Sequence, residues 1–265
     1  MTFRAAVITD VHYGRDHRHK LGSKAPRMME TFIKAANDSG VDAIIDLGDR
    51  VTGKDAETDR EHMISYRDHF NKAAAPFFSV LGNHDLKNLS PQDNKAIMGH
   101  PDTSYTRDMG GYHLVFWNPE GKVTKRGLEL EPSGIEWLRQ DLKKNKKPVI
   151  LFTHVPLDNL GQEGHEGISK RFFWTQGSRV RKVLEEAGNV VLVMSGHRHK
   201  NRHREINGIH YITQQSFTNQ WKEHYRVPAR AYTLLEATED KLTVKLKGKY
   251  KKTYDLTPHI APVRP

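Results

Sequence analysis

The sequence contains no cysteine. Disulfides, thiolate-held zinc, iron–sulfur clusters and cysteine nucleophiles are therefore excluded. Any bound metal must take histidine, carboxylate or amide ligands, a set that suits manganese, iron or zinc. Long apolar runs are missing too, and none approaches the ~20 residues that span a bilayer. The N-terminal stretch MTFRAAVITDVHYG lacks a signal peptide's small-residue cleavage site and leads straight into Asp10 and His12, which predicts a cytoplasmic chain. Internal repeats and low-complexity blocks are absent. Negative charge is in deficit, with 32 Asp and Glu against 42 Lys and Arg and a formal net charge of +10. That balance favours anionic partners such as phosphate esters, nucleotides, nucleic acid or an anionic membrane surface, or else reflects a lysine-rich solvated surface. Histidine, by contrast, is abundant at 16 residues.

At 265 residues the chain is long enough for one large α/β domain with a sizeable core. We expect that domain over residues 1–256 and an extended, proline-containing tail over 257–265. Short β-branched apolar runs at 4–9, 43–47, 77–81, 149–153 and 190–195 have the length of buried strands. Helical spacing marks 26–36, 58–74, 132–145 and 178–187, the last closed by Gly188. Residues 112–117 predict a further strand, 204–206 and 209–213 a hairpin across Asn207-Gly208, and 232–237 with 242–246 another. Alternating elements followed by hairpins predict mixed sheets packed together with helices outside.

The polar residues that follow the apolar runs carry the chemistry. Asp10-Val11-His12 follows the first run, Gly48-Asp49 the second and Gly82-Asn83-His84-Asp85 the third. His154 follows the fourth, and Gly196-His197-Arg198-His199 the fifth. Each block alone is an ordinary turn or a lone histidine. Together they place metal-compatible side chains at five strand ends, where ligands of open α/β sheets gather. In extended backbone, residues i and i+2 face one side, so Asp10 and His12, and likewise His197 and His199, can share a centre. A carboxylate such as Asp49 can bridge two cations, Asn83 offers a carbonyl oxygen and His154 an imidazole nitrogen.

This series resembles the calcineurin-like metallophosphoesterases, and within them the bacterial branch of cyclic-nucleotide and glycerophosphodiester phosphodiesterases. The resemblance spans residues 5–200. It implies a four-layer α-β-β-α sandwich with a dinuclear metal site at the strand carboxyl ends. It implies one metal on Asp10, His12, Asp49 and His199, and a second on Asp49, Asn83, His154 and His197. His84 would face the scissile phosphate and Asp85 would orient it. The implied reaction is phosphodiester hydrolysis by a hydroxide bridging two manganese, iron or zinc ions, with His84 stabilising or protonating the leaving oxygen. The Gly-Asp block continues as Arg50-Val51-Thr52-Gly53 and lacks the acidic and arginine motif of the protein-phosphatase branch.

Substrate contacts are less legible. Candidates are His17 and His19 in the loop over 13–24, Arg50, and Phe173 in the glycine-rich segment 156–177. Arg50 could equally pair with a surface carboxylate, and the aromatics of that segment could simply pack it onto the body. The expected substrate is a small phosphodiester or nucleotide. The alternatives are a phosphomonoesterase, a nucleotide pyrophosphatase and, less favoured, a nuclease. A non-catalytic scaffold on the same fold is the reading from a different class. The sequence leaves self-association into a homo-oligomer open.

Overall fold

A computed structural model describes residues 2–101, 103–125, 127–158, 174–219 and 227–260. In chain order the elements are β1 (Thr2–Ile8), α1 (Ala25–Asp38), β2 (Ala43–Asp46), α2 (Ala56–Phe70), β3 (Phe77–Ser79), α3 (Pro91–Met98), β4 (Tyr105–Met109), β5 (Tyr112–Phe116), β6 (Gly121–Val123) and β7 (Leu128–Leu130). There follow α4 (Pro132–Lys144), β8 (Val149–Phe152), α5 (Gly177–Ala187), β9 (Val190–Ser195), β10 (Arg202–Ile206), β11 (Ile209–Thr213), β12 (Tyr232–Thr238), β13 (Leu242–Lys247) and β14 (Lys252–Leu256).

Two six-stranded mixed sheets carry the fold. One has the order β14-β13-β12-β1-β2-β3, the other β10-β11-β9-β8-β5-β4. Strands β1, β2 and β3 run parallel, as do β5, β8, β9 and β11. The remaining pairings in the two sheets are antiparallel: β12 joins β1 in mid-sheet, and β13, β14, β10 and β4 are hairpin partners toward the edges.

The alternation of side chains along each strand builds the layers. From β1, Phe3, Ala5 and Val7 join Ile150 and Phe152 of β8 in a core between the two sheets. The intervening Ala6 and Ile8 face outward and bury Met29, Phe32 and Ile33 of α1 together with Met63 and Tyr66 of α2. On the other sheet, Val149, Leu151 and Val193 face outward onto Leu138 of α4 and Val180 and Leu184 of α5. The result is the expected α-β-β-α sandwich. Each fully buried Ile or Leu in it contributes about 1.5–3 kcal/mol of transfer free energy.

Local signals set the helix ends. Pro26 lies in the first turn of α1, and Asp55 caps α2 by accepting the Thr58 amide at 2.8 Å. Helix α2 begins and ends earlier than the expected 58–74, closing at Phe70 where the chain turns toward β3. Among the described residues no helix is long and apolar enough to cross a membrane.

Candidate metal centre

The carboxyl ends of β1, β2, β3, β8 and β9 meet at one end of the sandwich. They deliver the expected residues into two adjoining groups. Asp10, His12, Asp49 and His199 form one, and Asp49, His154 and His197 the other, with donor atoms within 4.8 Å of one another in each. All six are buried.

In the first group, His12 Nε2 lies 3.0 Å from His199 Nε2 and 3.7 Å from Asp49 Oδ2, and His199 Nε2 lies 2.9 Å from Asp10 Oδ1. In the second, His154 Nε2 lies 3.4 Å from Asp49 Oδ1, 3.3 Å from Asn83 Oδ1 and 3.1 Å from His197 Nδ1. Asp49 thus directs one oxygen into each group. Donors on one cation at metal–ligand distances of about 2.1 Å are separated by about 3.0–3.4 Å, so both clusters have the size of a coordination shell.

Tautomers and charge test the fit. The His154 Nδ1–H donates to the Leu47 carbonyl at 2.7 Å and so turns Nε2 into the site. His199 Nδ1 faces the Asn219 amide at 2.5 Å, while Asn219 Oδ1 is buried without a hydrogen-bond partner. Turning that amide end for end lets Oδ1 accept from Nδ1–H, with His199 Nε2 directed at Asp10 and His12. Burial works against charge on Asp10 and Asp49, yet the facing imidazoles, His199 and His154 respectively, hold both carboxyls below the usual range. Burial likewise works against charge on His154, but Asp49 raises it to about 9. Concentrated negative charge thus draws positive charge into the site. A nitrogen and oxygen donor set of this kind, its imidazoles giving up their protons on binding, fits two borderline cations.

The backbone route differs from the expected strand-like i, i+2 pairing. Asp10, His12, Asp49, His197 and His199 all have left-handed φ, between 47° and 67°. Each D-x-H or H-x-H pair converges because the chain curls at both ends of the pair. Amides pin the curls, with Asp10 N donating to the Gly48 carbonyl, His12 N to the Asp49 carbonyl and His197 N to Asp10 Oδ2.

His84 borders the centre. Its ring meets His12 edge to face at 4.7 Å, and its amide donates to Asp49 Oδ1 at 2.7 Å. The expected contact with Asp85 does not form. Instead His84 Nδ1–H donates to the Thr52 carbonyl at 2.7 Å. The Asp85 carboxylate accepts from the amides of Asp49, Arg50 and Gly82 and from Arg50 Nη1. Asp85 holds the loop that presents Asp49, because four donors already fill its oxygens.

Arg50 is also corrected. It is fully buried, at 2.5 Å from Asp46 Oδ2 and 3.0 Å from Asp85 Oδ2, and Nη2 donates to the Val80 carbonyl. Its guanidinium is held by these buried partners and does not reach the surface. His17 is exposed and exchanges backbone hydrogen bonds with Lys20. Phe173 lies outside the described residues. Its neighbour Trp174 is buried among α4 and α5 residues.

Two features escaped the sequence reading. Lys20 Nζ lies 3.4 Å from His84 Nε2. Burial lowers this ammonium below the ordinary lysine value, against the pull of Asp49 and Asp10. The second is the buried polar run after β11. Ser216 Oγ donates to the Asp10 carbonyl, Thr218 Oγ1 to the Val11 carbonyl, and Asn219 orients His199. A sixth strand end followed by uncharged polar residues was the available signal.

The sequence profile of the calcineurin-like phosphoesterases matches residues 3–201. The chain belongs to this family of metal-dependent phosphoesterases. A dimetal phosphatase from Danio rerio superposes with a TM-score of 0.78 at 13% identity, covering 97% of this chain and 99% of that one. The purple acid phosphatase PPD1 of yellow lupin seeds gives 0.66 at 13% identity over 97% of this chain and 54% of that one. GAP50, the anchor in the inner membrane complex of Plasmodium, gives 0.61 at 15% identity, covering 98% and 90%. At such identities these likenesses speak to the fold. Curated proteins yielded no significant match.

Proposed function

We propose that this protein hydrolyses phosphodiesters of small molecules or nucleotides at a dinuclear centre. The observation that carries the reading is Asp49, whose two oxygens enter two separate donor groups. The first ion would rest on Asp10, His12, Asp49 and His199, the second on Asp49, Asn83, His154 and His197. Two ions so held supply Lewis acidity toward phosphoryl oxygens and a lowered pKa for water.

The chain's own groups position the rest. The Thr52 carbonyl fixes the His84 ring with Nε2 turned toward Lys20, where a leaving oxygen would lie. Lys20 adds a positive group beside that nitrogen and can take a phosphoryl oxygen. The diester preference draws on the likeness of the five blocks to the bacterial phosphodiesterase branch. A monoesterase or pyrophosphatase is the second reading, favoured by Lys20, since a further cation suits a dianionic phosphate.

Diesters, monoesters and pyrophosphates assayed with manganese, iron and zinc test both readings. Diester turnover should lead, and His84→Ala should cut it about 10²–10⁴-fold with metal content retained. A leading monoester would overturn the diester preference alone. Absence of turnover on every substrate by metal-loaded protein would favour a scaffold.

A further inference from the structure

A second histidine cluster lies at the opposite end of β11 from the dinuclear centre. Glu205 of β10 and His210 of β11 are directly paired across the hairpin, and His203 lies on the same face as Glu205. The chain beyond β14 passes over the Asn207-Gly208 turn. There a Cβ on Gly208 would make ordinary contact with His259 Cβ at 3.4 Å, so His259 lies directly against the turn. Donor atoms of Glu205, His210 and His259 lie within 4.8 Å of one another.

The hydrogen-bond pattern makes this more than an accumulation of histidines. His210 is 2% exposed, and its Nε2–H donates to the Thr257 carbonyl at 2.9 Å. That bond fixes the tautomer and leaves the Nδ1 lone pair as an acceptor, which the His203 Nε2–H meets here and which a bound ion would take instead. The lone pair faces Glu205 Oε2 at 3.7 Å and His203 Nε2 at 3.2 Å. The other Glu205 oxygen faces His259 Nε2 at 3.6 Å. At 3.6 and 3.7 Å the carboxylate contacts are too long for hydrogen bonds. They match the edge of about 3.4 Å between ligands of a tetrahedral ion bound at about 2.1 Å.

We propose that Glu205, His210 and His259 form a third metal site, completed by His203 or water, that fastens the C-terminal segment to the β10–β11 hairpin. One carboxylate and two or three imidazoles select a borderline divalent ion such as zinc. The role is structural. The ligands come from a hairpin and from chain more than forty residues downstream, so an ion there closes a loop that hydrophobic contacts at the surface would hold weakly.

Zinc per chain, measured on full-length protein after dialysis against buffered zinc, tests this. Wild type should retain one equivalent more than His259→Ala or Glu205→Gln. The exposed positions of both residues make unfolding a poor explanation for the loss, and phosphoesterase turnover in both variants reports the intact fold. Asp49→Ala, stripped of the dinuclear centre, should keep one zinc that His259→Ala combined with Asp49→Ala loses. Zinc should also raise the thermal midpoint of Asp49→Ala but not of the combined variant. Equal zinc content in wild type and His259→Ala would overturn the proposal and leave a cluster held by hydrogen bonds alone. Because the readout is stoichiometry in a variant lacking the dinuclear centre, its failure is separable from any failure of the hydrolase reading.

Discussion

Asp10, His12, Asp49, His197 and His199 share a backbone conformation that costs a non-glycine residue about 1–3 kcal/mol. Aspartate and histidine are among the residues that tolerate it best. The strain persists because neighbouring groups leave the chain no alternative. Gly196 is the tightest of these constraints: a Cβ there would lie 2.0 Å from Thr9 Oγ1 and 2.6 Å from Asp10 Oδ2. Both atoms belong to the hydrogen-bonded unit that aims Asp10, since Thr9 Oγ1 donates to Asp10 Oδ2 at 2.7 Å. Gly196→Ala must therefore move the Asp10 carboxylate. A displacement on the order of 1 Å at such a ligand costs about 10²-fold in turnover. We expect that loss together with weakened metal binding, while Gly99→Ala, whose Cβ would meet no atom within 4 Å, leaves turnover unchanged. Unaltered kinetics in Gly196→Ala would show that the loop relaxes without moving Asp10.

The elements explain which parts of the molecule were readable in advance. Strands β1, β2, β8 and β9 are buried on both faces and read as short continuous apolar runs. Their ends were legible for the same reason, because polar residues directly after such runs stand out. Strands β4 and β6 are largely exposed and offered no such pattern. Helix α3 did carry a sequence signal, the capping box of Ser90 and Asp93 beside Pro91, but eight residues gave little periodicity to confirm it. The role of Asp85 was hidden because its partners lie 35 and 36 residues away, at Arg50 and Asp49. Adjacency to His84 suggested a dyad, whereas the fold uses Asp85 to join the loop after β3 to the loop after β2. Asp85→Asn distinguishes the two roles. It removes charge-assisted hydrogen bonds from a fully buried Arg50, which predicts a loss of about 3 kcal/mol in urea unfolding and weaker metal retention. A fall in turnover with unchanged stability and metal content would restore the dyad.

For the whole molecule, stability should depend on pH through His113, which belongs to none of the candidate metal-ligand groups. Its Nδ1 lies 2.6 Å from Asp108 Oδ1 on β4, its Nε2 lies 3.0 Å from Asp141 Oδ2 on α4, and Lys147 approaches the other Asp108 oxygen at 2.6 Å. Burial opposes charge on the ring, but Asp141 and Asp108 outweigh it and raise the pKa above the ordinary histidine value. A proton bound more tightly in the folded than in the unfolded chain stabilises the fold. That contribution is complete below the unfolded value of about 6.5 and fades as pH rises through the higher folded value. The imidazolium bridges an edge strand to a helix of the outer layer, so its loss loosens the sandwich at that edge. His113→Gln should lower the urea midpoint clearly near pH 5.5 and by less at a pH above the folded value, where the wild-type ring is neutral. A deficit equal at both values would show that His113 acts through packing and neutral hydrogen bonds, with no net benefit from its charge.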